Sequence, residues 1–168
     1  VVTGRPIDGD GVEPLQTGQA LLAAVARDGQ VWLSATDATG VPLLFVKPQP
    51  EAAWQPLDIA ATQPLVALRA TATHVLGLSR GGDLLVWPLD DPQAQPIRYA
   101  LPAEAAPFSA LAVHDAAPQQ LAAWSTTTGL WLSDDGGATW RHASSRQPVR
   151  ENGADASTDI PQIDDLPV

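Results

Sequence analysis

The chain contains no cysteine and no methionine, and among its 168 residues there is a single lysine, Lys47. Without cysteine there is no disulfide framework and no thiol chemistry. The missing methionine implies that residue 1 is not a translation start. Two origins stay open: a removed signal peptide, which would make the protein extracellular or periplasmic, and proteolysis or truncation. A cysteine-free chain fits an oxidising compartment. Charge is sparse at 17%, with a formal net charge of −10 and eight scattered arginines. Nucleic-acid binding needs clustered cations to neutralise phosphates, so that function is excluded. No apolar run approaches the ~20 residues of a membrane-spanning helix, and no membrane insertion is expected.

What the chain does have is 45% apolar residues, sixteen prolines and thirteen glycines. That is a globular composition punctuated by residues that break helices and close turns. It also repeats. Leu22 to Ser34 matches Leu121 to Ser133 without a gap at an offset of 99, sharing Leu-Ala-Ala at the start and Trp-Leu-Ser at the end. A middle copy runs from His74 to Trp87, and aligning Val25, Leu78 and Trp124 gives steps of 53 and 46. Repeats of roughly 40–50 residues suit propeller blades better than helical arrays.

Each copy reads as an apolar strand, a tight polar turn and a second apolar strand. The turns are Arg27-Asp28-Gly29, Arg80-Gly81-Gly82-Asp83 and Thr126-Thr127-Thr128-Gly129, where Gly and Asp supply positive-φ positions. Leu65 to Leu68 and Ser109 to Val113 add a preceding strand, each after a proline, and a longer loop at His114 to Gln120 absorbs a three-residue difference in spacing. Outer strands are expected at Ile97 to Leu101 and Thr139 to His142. The first copy is irregular: it inserts Val41 to Lys47 before a displaced outer strand at Trp54 to Leu57, and it lacks a convincing innermost strand. Gln19 to Ala26 is alanine-rich enough for a helix, but its match to the third copy decides for strand.

The expected fold is therefore all-β: a partial propeller of about three four-stranded antiparallel blades. Residues 1–18 form a lead segment. The blades occupy 19–143, divided at about 19–59, 64–101 and 107–143, and 144–168 is an acidic tail. Within that tail, Ile160 to Ile163 has the composition of an edge strand, with Pro161 confined to the edge.

Residues 133–140 read Ser-Asp-Asp-Gly-Gly-Ala-Thr-Trp, directly after the repeated Gly-Leu-Trp-Leu strand. This resembles the Asp-box, S-x-D-x-G-x-T-W, of the BNR-repeat propellers, at Ser133, Asp135, Gly137, Thr139 and Trp140. The resemblance covers about residues 19–143 and implies a propeller of the sialidase-like, sortilin-like or photosystem-assembly-factor-like kind. It also implies that the box is structural. Asp135 would accept backbone N–H groups within the turn, Gly137 would take a positive φ, and Trp140 would cover the turn. The first copy keeps Ser34 but has Asp37 and Gly40 out of register, and the second has only Asp90-Asp91.

A sialidase active site would need an arginine cluster, a tyrosine–glutamate pair and an acid–base aspartate. The one tyrosine, Tyr99, falls on an outer strand. Glu13, Glu51, Glu104 and Glu151 fall in turns and termini, and Arg5, Arg69 and Arg98 in no sialidase context. His74, His114 and His142 lack ligand spacing, so no zinc site is expected. Asp8-Gly9-Asp10-Gly11 lacks the further ligands of a calcium loop. No catalytic, metal or cofactor site is assigned. Trp32, Trp87, Trp131 and Trp140 hold repeat positions, whereas Trp54 and Trp124 are candidates for a recognition surface.

Three blades do not close a ring of four to eight. The missing blades are expected from a partner chain, the parent polypeptide or a homo-oligomer. The function expected is non-catalytic protein–protein binding or assembly within a larger complex. The alternative is a carbohydrate-binding or glycosidase-related, sialidase-like fragment with its active residues in the missing blades.

Overall fold

A computed structural model describes residues 18–59 and 63–144. The Asp8–Gly11 turn, the acidic tail and the edge strand expected at 160–163 lie outside the described residues. Among the described residues twelve strands form three four-stranded antiparallel sheets, the plan of a partial β-propeller. The first sheet is β1 (Ala20–Arg27), β2 (Gln30–Thr36), β3 (Pro42–Lys47) and β4 (Gln55–Leu57). The second is β5 (Leu65–Ala70), β6 (His74–Ser79), β7 (Asp83–Pro88) and β8 (Ile97–Ala100). The third is β9 (Phe108–His114), β10 (Ala117–Ser125), β11 (Gly129–Ser133) and β12 (Arg141–His142). A short 3-10 turn, Ala103–Ala105, leads into β9.

Strands are ordered in sequence within each sheet, as short hairpin connections require. The first hairpin turns on Asp28 and Gly29, with φ of 49° and 80°, between the paired residues Arg27 and Gln30. Two successive positive φ values match the right-handed twist of the flanking strands. The first strands β1, β5 and β9 lie side by side with β5 in the middle, so the sheets converge along their inner edges.

Side chains that alternate along these strands build two cores. Between the first and second sheets, Trp32 meets Trp87 with ring centroids 5.4 Å apart, surrounded by Leu44, Val46, Leu68 and Leu85. Between the second and third, Leu76, Leu78 and Leu84 pack with Phe108, Leu111 and Leu121. Polar links pin both junctions. The buried Ser34 hydroxyl donates to the Leu65 carbonyl at 2.7 Å, and the Phe108 N–H donates to the Arg80 carbonyl at 2.9 Å. Every residue of β6 after His74 is buried, because only the middle sheet is covered on both faces by the other two.

Three local expectations are corrected. The stretch from His114 to Gln120 is not a loop: β9 runs to His114 and β10 starts at Ala117. The Ala117 N–H donates to His114 Nδ1 at 3.2 Å, and a register shift between Ala117 and Leu121 takes up the extra residues. The innermost strand missing from the first copy is β1 itself, which lies beside β5 and pairs only with β2. The last outer strand shrinks to Arg141–His142, because Thr139 is held in the preceding turn.

Gly77, in the middle of β6, marks the tightest point of the first core. A Cβ there would stand 2.8 Å from Leu65 Cδ1, 3.2 Å from the Trp87 ring and 3.3 Å from Leu68 Cδ2. Leu65 is itself fully buried and has nowhere to swing. Gly77→Ala is expected to destabilise the fold by about 1–3 kcal/mol, read as a lower urea midpoint with an unchanged slope. An unchanged midpoint would mean that the two sheets separate more easily than this packing implies.

Candidate functional site

The turn at 133–140 joins β11 to β12, and its polar groups are used internally. Ser133, buried at the end of β11, donates through its hydroxyl to Asp135 Oδ1 at 2.8 Å and accepts the Gly137 N–H at 2.9 Å. Asp135 accepts the Thr139 N–H on Oδ1 at 2.9 Å and the Thr139 hydroxyl on Oδ2 at 2.5 Å. Trp140 Nε1 donates to the Gly137 carbonyl at 2.9 Å, and its ring lies against the second core. Gly137 has φ +102°, and a Cβ on it would collide with Leu84 Cδ2 of the second sheet. The glycine thus closes the turn and seats it on the neighbouring sheet.

Hydrogen bonds to the charged form lower an acid's pKa. The Thr139 hydroxyl first, then the Thr139 N–H and the Ser133 hydroxyl, bring the Asp135 carboxyl down from 3.8 to about 2. A carboxylate so saturated by its own turn is suited to holding backbone, not to acid–base work near neutrality.

A second carboxylate-held turn went undervalued in the sequence. Asp37 Oδ1 accepts the Thr39 N–H at 2.8 Å, the Thr39 hydroxyl at 2.7 Å and the Val41 N–H at 2.9 Å. These bonds, the Thr39 hydroxyl foremost, lower its pKa. The signal was present as Asp-x-Thr-x-Val, with the threonine two residues on instead of four.

Two exposed ion pairs join other groups, Arg27 with Asp28 at 3.8 Å and Arg141 with Asp134 at 3.5 Å. Tyr99 is half-buried on β8, and Glu51 and Glu104 are exposed. The Arg69 guanidinium donates to the Leu68 carbonyl at 2.8 Å. His74 bonds Thr73 Oγ1 at 2.7 Å, and His142 contacts the Thr128 carbonyl and the Ser144 hydroxyl while lying edge-on to Trp131. Among the described residues no three His, Asp or Glu side chains gather as metal donors. An open cleft of about 520 Å³ is lined by Gln30, Thr73, His74, Leu89 and Asp90. Gln30 already spans its floor, donating to the Leu89 carbonyl at 2.5 Å and accepting Trp32 Nε1 at 3.1 Å.

The tryptophans separate sharply. Trp32 and Trp87 are buried; Trp54, Trp131 and Trp140 are half-buried; Trp124 is 48% exposed. Trp124 pairs with Ala110 on β9 and Leu130 on β11, and the next row on the same face is Ala112, Ala122 and Leu132. This apolar face of the third sheet points away from the second. It has a counterpart. Adding 46 to Leu76, Leu78, Leu84 and Val86 gives Ala122, Trp124, Leu130 and Leu132, and the two sets pair alike across their strands. In the second sheet Leu78 and Leu84 are fully buried by the third, whereas Leu130 is 37% exposed. The far side of the first sheet is also apolar, with rows Ala24, Leu33, Phe45, Pro56 and Ala26, Val31, Lys47.

No family model and no curated protein matches the chain. Solved structures do share its fold. YCF48 from Cyanidioschyzon merolae aligns with TM-score 0.54 and 18% identity, over 72% of this chain and 39% of that one. A structure of YCF48 bound to D1 peptide aligns with TM-score 0.56 and 18% identity, over 72% and 38%. The computationally designed Ika4 protein aligns with TM-score 0.57 and 15% identity, over 80% and 78%. The chain spans under two-fifths of the YCF48 chains it resembles, and the likeness at these identities is one of propeller fold.

Because the folded pKa of Asp135 lies below its ordinary 3.8, its charge stabilises the fold above that value. This contribution is lost as pH falls towards about 2. Asp135→Asn is therefore expected to lower the urea midpoint at pH 7 and to match the parent chain near pH 2. A gap that does not change with pH would mean the residue acts by shape and not by charge.

Proposed function

We propose that this chain is a non-catalytic segment of an Asp-box β-propeller that works by protein–protein binding, in assembly of a larger complex. The observation carrying this reading is the open face of the third sheet, where Trp124 and Leu130 occupy positions that the second sheet buries completely. A contiguous exposed apolar face marks an interaction surface, and a rigid tryptophan at its centre is a common anchor of such contacts. The carboxylate-held turn at Asp135 is consistent with the structural role of an Asp-box, since its groups are consumed in holding β11 and β12 on Leu84. The YCF48 propeller bound to D1 peptide supports the same class of function by analogy of fold. The remaining blades come from a partner chain, the parent polypeptide or further copies, in an exported setting that a cysteine-free chain fits.

A photo-crosslinking amino acid at position 124, compared with one at the exposed Asp134, tests the reading in cells that produce the protein. The expected result is a discrete protein adduct from position 124 and none from 134. No protein adduct from position 124 would overturn it.

A further inference from the structure

Among the described residues two aspartates are followed by glycine, in Asp28-Gly29 and Asp135-Gly136. Such a pair rearranges without an enzyme, because no side chain on the glycine hinders attack of its amide nitrogen on the neighbouring carboxyl carbon. The reaction needs that nitrogen unengaged and the carboxyl group free to swing toward it. The two turns differ on both counts.

At Asp135 the reacting groups are fixed. The Gly136 N–H donates to the Gln119 carbonyl at 2.9 Å. The carboxylate accepts the Ser133 hydroxyl and both the N–H and the hydroxyl of Thr139, which bring its pKa down to about 2. A carboxylate held ionised in this way is a poor electrophile. At Asp28 neither group is held. The Gly29 N–H makes no hydrogen bond among the described residues. The Asp28 side chain is 68% exposed and meets Arg27 at 3.8 Å, an ion pair of the kind that constrains little. Asp28 is also the one non-glycine residue among those described with a positive φ, 49°, a region that side chains disfavour.

We infer that Asp28 is a site of spontaneous isomerisation to isoaspartate, and that the turn around Asp135 shields the second pair from the same reaction. The Gly29 nitrogen attacks Asp28 Cγ and loses its proton, the bond from Cγ to one carboxyl oxygen breaks, and that oxygen departs as water. A five-membered succinimide results, which water then opens. Cleavage of the Cγ–N bond restores aspartate. Cleavage of the bond between the nitrogen and the Asp28 main-chain carbonyl carbon leaves isoaspartate, whose chain runs to Gly29 through Cβ and Cγ. Nothing is oxidised, and the water lost in the first step is regained in the second. The added main-chain atom lengthens a turn that holds Arg27 opposite Gln30. Gln30 bridges the Leu89 carbonyl and Trp32 Nε1 where the first two sheets meet, so the change loosens that junction. The inference is independent of the protein-binding reading, since this hairpin belongs to the first sheet and not to the Trp124 face.

The test is incubation of the full chain for several weeks at neutral pH and body temperature. Peptide mapping follows, with fragmentation that distinguishes the two linkages. Isoaspartate is expected at position 28 at several times its amount at 135. The same incubation in concentrated urea should bring 135 to a level comparable with 28, since both are ordinary aspartyl–glycyl pairs once unfolded. Equal amounts in the folded chain, or none at 28, would overturn the inference. So would a preference for 28 that persists in urea, because neighbouring residues and not the fold would then be its cause. The isomerised fraction, separated by chromatography, should unfold at a lower urea midpoint than fresh chain. An unchanged midpoint would overturn the effect on the junction.

Discussion

A β-sheet that is apolar on both faces has to be covered twice, and this requirement organises the molecule. Among the described residues only the second sheet meets it. Its rear face receives Trp32 and Val46 from the first sheet against Trp87 and Leu68. Its forward face receives Phe108, Leu111 and Leu121 from the third. Burying one such side chain is worth about 1.5–3 kcal/mol, so two stacked junctions account for why three sheets hold together in series. The same requirement leaves the flanking sheets half covered. The open faces therefore repeat the surface chemistry that holds the covered ones together.

The turns serve those junctions. Asp135 and Asp37 each tie a connection between strands by accepting a threonine hydroxyl and backbone N–H groups. At Asp135 the effect reaches beyond the turn, because Gly137 brings the backbone against Leu84 of the second sheet. The motif that looks most like chemistry in the sequence is thus a fastening between the third sheet and the second. Its carboxylate is spent on its own loop, whereas the open face of the third sheet is made of alanines, leucines and a tryptophan.

The fold was legible because a strand–turn–strand unit recurs with glycine and aspartate in its turns, and those features are local. The step of 46 between the second and third copies even carries the facing of side chains, since Leu78 pairs with Leu84 as Trp124 pairs with Leu130. The offset of 99 does not. The first hairpin closes with two residues between Arg27 and Gln30, the third with three between Ser125 and Gly129. Val25 consequently pairs with Trp32, and not with the residue that the ungapped match would place opposite it. One residue of turn length reverses which face a strand presents, and an alignment of letters does not register it. The bulge between Ala117 and Leu121 reads as loop by composition, because the pairing that makes its flanks strand is made across to β9.

By itself the sequence determined the class of architecture, the three repeating hairpins and the residues able to hold a tight turn, because propensity, periodicity and positive-φ positions act over a few neighbours. Only the tertiary structure decided which of six tryptophans is buried and which is left open. Trp87 and Trp124 are both large aromatic residues on apolar strands. One lies under a neighbouring sheet, and the other lies on the face where the described chain provides no further sheet. Burial depends on what stands opposite a side chain in space, and the number and order of stacked sheets settle that.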